Sequence, residues 1–150
     1  MESTRAELIK YDDFKLRHEW KFYEVYEALV YKKTKAQDYL ANIHTVYTFD
    51  NLTDFAHFWN TTNYRKITPI FTDPFNNIIR KIKDKELKIG SIALFKSNIM
   101  PTWEDKENSK GGEYGFKITG DNGAELSKLW EKLVFTLIGE LSELVDDVLV

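Results

Sequence analysis

The stretch Met100-Pro101-Thr102-Trp103-Glu104-Asp105-Lys106-Glu107-Asn108-Ser109-Lys110-Gly111-Gly112 lies between two strand-like segments. Before it, residues 92–95 form a short apolar run; after it, Tyr114, Phe116 and Ile118 alternate with Glu113, Gly115 and Lys117. A proline near its start and Gly-Gly at its end mark it as a strand-connecting loop. That loop carries a tryptophan next to a glutamate. An exposed loop Trp is costly unless its ring stacks on something, so Trp103 either packs inward or stacks on a ligand, and the residues leave both open.

Working outward, residues 20–26 and 43–49 are rich in aromatic and β-branched side chains and read as further strands. Between the strands, a helix is predicted over residues 52–59, capped by Asp50 or Asn51, with Leu52, Phe55, Ala56 and Trp59 on one side. A second, longer helix is predicted over residues 124–144. In it Leu126, Leu129, Trp130, Leu133, Val134, Leu137, Leu141 and Leu144 recur at helical spacing behind the candidate caps Asp121 and Asn122, while Phe135 faces away and Ile138 sits at the edge. Residues 73–87 keep helical spacing at Phe75, Ile78, Ile79 and Ile82, which predicts an extra helix with Arg80, Lys81, Lys83, Lys85 and Lys88 on its outer face. The order strand, strand, helix, strand, strand, helix points to an α+β fold with an antiparallel sheet and helices on one face.

Composition narrows the function classes. The 150 residues suit one domain spanning 1–150, with the polar residues 1–13 a mobile N-terminal segment without a secretory signal. No apolar run approaches the roughly 20 residues of a membrane span, so no membrane association is expected. The chain has no cysteine, which excludes disulfides, thiolate metal sites and a cysteine nucleophile and fits a reducing, cytoplasmic setting. A net charge of −3 gives no general attraction to a phosphate backbone, so a duplex DNA binder is disfavoured. Four Trp, eight Tyr and ten Phe leave room for recognition by stacking. His18, His44 and His57 lie on separate elements without metal-ligand spacing, and neither a serine elbow nor a phosphate-binding glycine loop is present. Neither an enzyme nor a cofactor is expected.

Residues 100–112, the Ser91-Ile92-Ala93-Leu94-Phe95-Lys96 strand before them, Tyr39-Leu40-Ala41-Asn42-Ile43 running to Phe49-Asp50 and Asp54-Phe55, and Trp130 followed by Leu137-Ile138-Gly139-Glu140 and Asp146-Asp147-Val148 together resemble the translation initiation factor 4E family, in the family's order. The resemblance implies a curved antiparallel sheet with helices on its convex face, and binding of the 7-methylguanosine cap of messenger RNA. By that likeness Tyr39 and Trp103 sandwich the base, Glu104 accepts the guanine N1 and N2 donors, and the backbone N–H beside Trp103 meets O6. N7 methylation makes the ring cationic, so each aromatic face gains about 0.5 to 2 kcal/mol over neutral guanine. The resemblance also implies a partner, the amphipathic helix of a 4G-type factor or a 4E-binding protein, against Leu52, Ala56, Trp59, Phe135, Ile138 and Gly139.

The sequence departs from the family in several places. Tyr39 stands where the family most often has Trp. Glu113 stands where an Arg serves the phosphate side. Ala56 holds the position of a partner-facing Trp, with Trp59 one turn later either a substitute or core, and Phe14-Lys15 replaces a His-Pro. Insertions are expected near residues 32–35 and 61–88. The sequence stops at Val150, where the family enters its next strand, so an incomplete sheet is expected without the Arg and Lys that grip the triphosphate. These departures leave a second reading, a 4E-like regulatory scaffold with weak or no cap affinity, or a cap-competing repressor. Residues 80–88 read either as solvated charge or as a guide for downstream RNA.

Overall fold

A computed structural model describes residues 14–29, 36–75, 77–82, 87–115, 117 and 123–140; the N-terminal segment 1–13 and the insertion at 32–35 fall outside them. Four antiparallel strands, β1 (Lys15–Ala28), β2 (Ile43–Asn51), β3 (Arg80–Ile82) and β4 (Leu87–Lys96), form one sheet in the order β2-β1-β4-β3. Helices α1 (Ala36–Ala41), α2 (Leu52–Thr61), α3 (Thr68–Phe71) and α4 (Gly123–Gly139) and a 3-10 turn (Asn63–Arg65) complete the α+β architecture. Among the described residues the sheet is open, with β2 and β3 at its edges.

The two faces of β1 explain the layout. A strand sends successive side chains to opposite faces, so Trp20 and Phe22, both fully buried, point with Leu94 of β4 into the core beneath α2 and α4. Tyr23 and Val25 face the other way, beside their β4 partners Ala93 and Ser91. Phe22 is the hub of the core: its ring lies 5.1 Å from Phe58, 5.8 Å from Phe49, 5.6 Å from Tyr64 and 6.4 Å from Trp59 and from Trp130. Shifts of register at Phe22/Tyr23 and Val25/Tyr26 bend the strand, as bulges do.

One carboxylate, Glu24, is buried on the core side and accepts hydrogen bonds at 2.6 Å from the hydroxyls of both Tyr26 and Tyr64. Burial, followed by that hydrogen bond, raises the Tyr64 hydroxyl far above the ordinary phenol range. The Trp130 indole N–H donates to the Tyr64 carbonyl at 2.9 Å, which pins α4 to the 3-10 turn.

Helix α2 starts where the sequence placed it. Asn51 is the cap: its Oδ1 accepts from the Asp54 N–H at 2.8 Å, and its Nδ2 donates back to the Asp54 carboxylate at 2.8 Å. The buried face is Phe55, Phe58 and Trp59, so Leu52 and Ala56 lie at its exposed margin rather than at its centre. In α4 the buried seam runs through Trp130, Val134 and Ile138, with Leu137 beside it, while Leu133 is 43% exposed. Ile138 is therefore central, not marginal. The apolar arc of α4 is wider than its contact, and the aromatic cluster around Phe22 selects which part of it is buried.

Among the described residues of 73–87 the predicted helix does not form. Asp73 closes a turn: its Oδ1 accepts from the N–H groups of Phe75 at 2.9 Å and Asn77 at 2.8 Å, and its N–H donates to the Asn77 carbonyl at 2.9 Å. The chain then returns through a Thr72–Ile78 bridge into β3, which pairs with β4 at Arg80–Lys88 and Ile82–Leu87. Phe75 is 83% exposed and belongs to no apolar helical face. Lys88 Nζ pairs with Glu27 at 2.8 Å; the side chains of Arg80 and Lys81, and Lys83 and Lys85 as a whole, lie outside the described residues. Tyr114, Gly115 and Lys117 are likewise not in a strand, and Phe116, Ile118, Asp121, Asn122, Leu141 and Leu144 lie outside the described residues.

Candidate functional site

The loop at 100–112 is held together by its own short polar side chains. The Asp105 carboxylate accepts from the Met100 N–H at 2.8 Å and the Glu107 N–H at 3.0 Å, and these bonds, Met100's first, hold its pKa below the usual carboxylate range. Asn108 Nδ2 donates to the carbonyls of Met100 at 2.7 Å and Thr102 at 2.8 Å. Ile99 and Thr102 are buried under the loop, and the Tyr23 hydroxyl reaches Met100 Sδ at 3.9 Å. Burial, then the Asp105 charge, push that hydroxyl's pKa up. On this brace Trp103 is 62% exposed.

The loop overhangs the face of the sheet that bears no core. Val25, Ser91, Ala93 and Phe95 form the floor of a cleft of about 430 Å³; Tyr39, Pro101, Trp103, Glu113 and Tyr114 are among the residues around it. The small side chains of Ser91 and Ala93 leave the floor hollow, because the larger alternating residues, Ile92 and Leu94, point to the core. Tyr39 comes from α1, an element absent from the sequence reading, and its hydroxyl donates to the Pro101 carbonyl at 3.4 Å. Tyr39 and Trp103 thus come from separate elements to one cleft, both rings substantially exposed. Glu104 is exposed on the same loop but is not among the residues lining the cleft. Tyr114, 94% exposed, lines it unforeseen; its alternation with Phe116 and Ile118 had suggested a strand.

A second groove, of about 750 Å³, lies on the helical side, lined by Phe14, Leu52, Thr53, Phe55, Ala56, Trp59, Phe135 and others. Phe135 is 39% exposed, and its edge meets Phe55 at 5.6 Å and Trp59 at 5.8 Å. Trp59 is itself a core residue, only 3% exposed, that also forms part of the groove wall. Ile138 is buried in the core and, like Gly139, exposed at the end of α4, is not among the residues lining this groove. Arg65 and Glu131, 3.7 Å apart, face each other at the rim. Among the described residues no group of His, Asp and Glu could hold a metal ion, and no helix is long and apolar enough to cross a membrane.

Fold and cleft together define an α+β protein with its aromatic core under one sheet face and an aromatic-walled cleft on the other. The family model for eukaryotic initiation factor 4E matches residues 15–149, and the chain belongs to that family. Translation initiation factor 4E1 of Drosophila melanogaster is 32% identical over 112 residues, covering 73% of this chain and 42% of the relative. A solved schistosome eIF4E complexed with m7GpppA and 4E-BP superposes with a TM-score of 0.53 at 26% identity, covering 85% of this chain and 55% of that one. The Ascaris suum eIF4E-3 complex with m7G cap gives a TM-score of 0.53 at 26% identity, covering 85% and 58% respectively. The chain spans about half the length of the relatives it matches.

Proposed function

We propose that this chain is a non-enzymatic, cytoplasmic receptor for the N7-methylated guanine of capped messenger RNA, acting in translation initiation. The observation that carries the reading is the placement of Tyr39 and Trp103, from α1 and the 100–112 loop, around one cleft above a hollow floor. A flat cationic ring entering between two aromatic side chains gains stacking area and a cation–π attraction that unmethylated guanine lacks. In this reading Glu104, exposed beside Trp103 though outside the cleft lining, accepts the guanine N1 and N2 donors as a charge-assisted pair. Adenine has no such pair of donors. The solved relatives with m7GpppA and with m7G cap support the ligand class.

The helical-side groove supports a protein partner, the amphipathic helix of a 4G-type factor or a 4E-binding protein, seated on Leu52, Ala56, the Trp59 wall and Phe135. The schistosome relative carries 4E-BP in its complex. With Ala56 in place of a bulky residue this wall of the groove carries less side chain, so its preferred partner differs from one suited to a filled surface.

Retention on an immobilised 7-methylguanosine nucleotide tests the cap reading. Elution by free 7-methylguanosine nucleotide and not by the unmethylated one is the expected result. Elution by both equally, or no retention, would favour the regulatory-scaffold alternative.

A further inference from the structure

Resting on the partner reading of the helical-side groove, we propose that this groove is one half of a longer docking trench, whose other half takes an acidic segment of the same protein partner, just beyond that partner's apolar face. A further concavity, of about 390 Å³, adjoins the groove, and Arg65 and Glu131 line both. Along α4, Ala124, Lys128, Glu131 and Phe135 fall on one side at helical spacing; the first three line the second concavity and the last two line the groove. At 1.5 Å per residue that stripe is about 16 Å long, or three helical turns. The opposite wall passes from Ala56 and Trp59 of α2, through Arg65 of the 3-10 turn, to Lys66, Thr68 and Pro69.

The two halves differ in chemistry. Around Phe135 the walls are the rings and aliphatic chains of Phe14, Leu52, Phe55 and Trp59. Around Ala124, Arg65, Lys66 and Lys128 stand against one carboxylate, Glu131, which is itself 3.7 Å from Arg65. Lys66 and Lys128 are exposed, and neither has an ion-pair partner among the described residues. On a chain of net charge −3 this is a local excess of positive charge at one end of an apolar trench. Complementary charge at the edge of an apolar contact fixes the register and orientation of a bound chain. Pro69 and Ala124 give the basic end an apolar floor as well, which suits a peptide whose carboxylates answer the lysines while its backbone and neighbouring side chains pack beneath them. Arg65, Lys66, Thr68 and Pro69 fall within 61–88, the stretch expected from the sequence as an insertion, so the basic wall is this chain's own addition to the surface.

The test is fluorescence anisotropy of the intact chain with labelled amphipathic 4E-binding-protein-type helical peptides: the helix alone, and the helix extended at either end by a short Asp/Glu tail or a short Lys tail. Wild type is expected to bind the helix with an acidic tail at one of its ends about threefold to tenfold more tightly than the untailed helix at low salt, and the lysine-tailed one less tightly. High salt should erase both differences. In Lys66→Glu and in Lys128→Glu the acidic gain is expected to disappear, while the untailed helix, whose groove neither lysine lines, keeps its affinity. No gain from an acidic tail at either end, or a gain that survives in both variants, would overturn the basic half of the trench and leave the groove standing. Loss of affinity for an uncapped oligoribonucleotide in the same two variants, without any acidic-tail gain in wild type, would overturn it in favour of RNA phosphates at these lysines. Failure of every peptide to bind wild type would instead overturn the partner reading, and this proposal with it.

Discussion

The Tyr39 hydroxyl donates to the Pro101 carbonyl at 3.4 Å, tying the end of α1 to the loop two residues ahead of Trp103. The bond is long and exposed, so it positions rather than stabilises. Its consequence is that the two rings of the cleft depend on the shape of one loop, and Asp105 and Asn108 hold that shape.

Asp105→Ala removes the acceptor for the Met100 and Glu107 N–H groups. The core does not involve this carboxylate, so the melting temperature should change little. Binding of methylated guanine is expected to weaken on the order of tenfold, the usual cost of loosening a positioned group. Calorimetric titration paired with a thermal melt separates the two; an equal loss of both would mean that the loop contributes to the fold itself.

Ala93→Leu places a large side chain on the cleft floor opposite Tyr23. Because position 93 faces away from the core, folding should survive and ligand binding should fall by an order of magnitude or more. Leu94→Ala, on the core face, is the converse: about 2 to 5 kcal/mol of stability lost, with binding kept below the transition. Chemical denaturation and ligand titration of both variants check the assignment of the two faces.

Glu140 carries the one positive φ among described residues other than glycine, 47°, and ends α4. Arg17 Nη1 donates to its Oε2 at 3.0 Å, and His18 Nδ1 contacts its Oε1. Burial alone would raise this carboxyl's pKa, but the bonds from His18 and Arg17 outweigh it and hold the pKa below the ordinary carboxylate value. A lowered folded-state value means stability that is present above the unfolded carboxyl's range near 4.3 and is lost as pH falls through the folded value. Wild type should therefore lose more stability than Glu140→Gln between pH 5 and pH 3, and the two melting curves should converge in acid. Parallel curves across that range would show that the pair does not act through charge.

These elements differ in how far the residues alone disclosed them. The α2 cap, narrowed to Asp50 or Asn51, and the loop, marked by its Pro and Gly-Gly, were legible because they are local, whereas the Asp105 and Asn108 braces were not foreseen. The 73–87 segment was misread because Phe75, Ile78, Ile79 and Ile82 satisfy helical spacing, while the deciding facts are the turn at Asp73 and pairing with β4, the second of which is long-range. Burial of Ile138 over Leu133 follows from where Phe22 and its neighbouring rings lie, which spacing along α4 does not encode. Tyr39 was named only through family likeness. The places of Glu113 and Tyr114 in the cleft depend on how the chain leaves the loop, and no periodicity reports that.

Ala56→Trp adds an indole to the wall of the helical-side groove. Position 56 is exposed, so stability should be unchanged within about 0.5 kcal/mol. The substitution reduces the groove volume and is expected to change affinity for an amphipathic 4E-binding-protein-type peptide severalfold while leaving methylated guanine binding untouched. Fluorescence anisotropy with a labelled peptide reads the effect; identical peptide affinities for the two proteins would remove Ala56 from the partner surface.

The most direct measurement of the central claim is calorimetric titration of 7-methylguanosine 5′-monophosphate and unmethylated guanosine 5′-monophosphate into wild type, Tyr39→Ala and Trp103→Ala. Saturable wild-type binding that is at least tenfold tighter for the methylated ligand, and loss of that preference in both variants with their folds intact, is the predicted result. Equal affinity for the two nucleotides, or binding that survives Trp103→Ala unchanged, would contradict it.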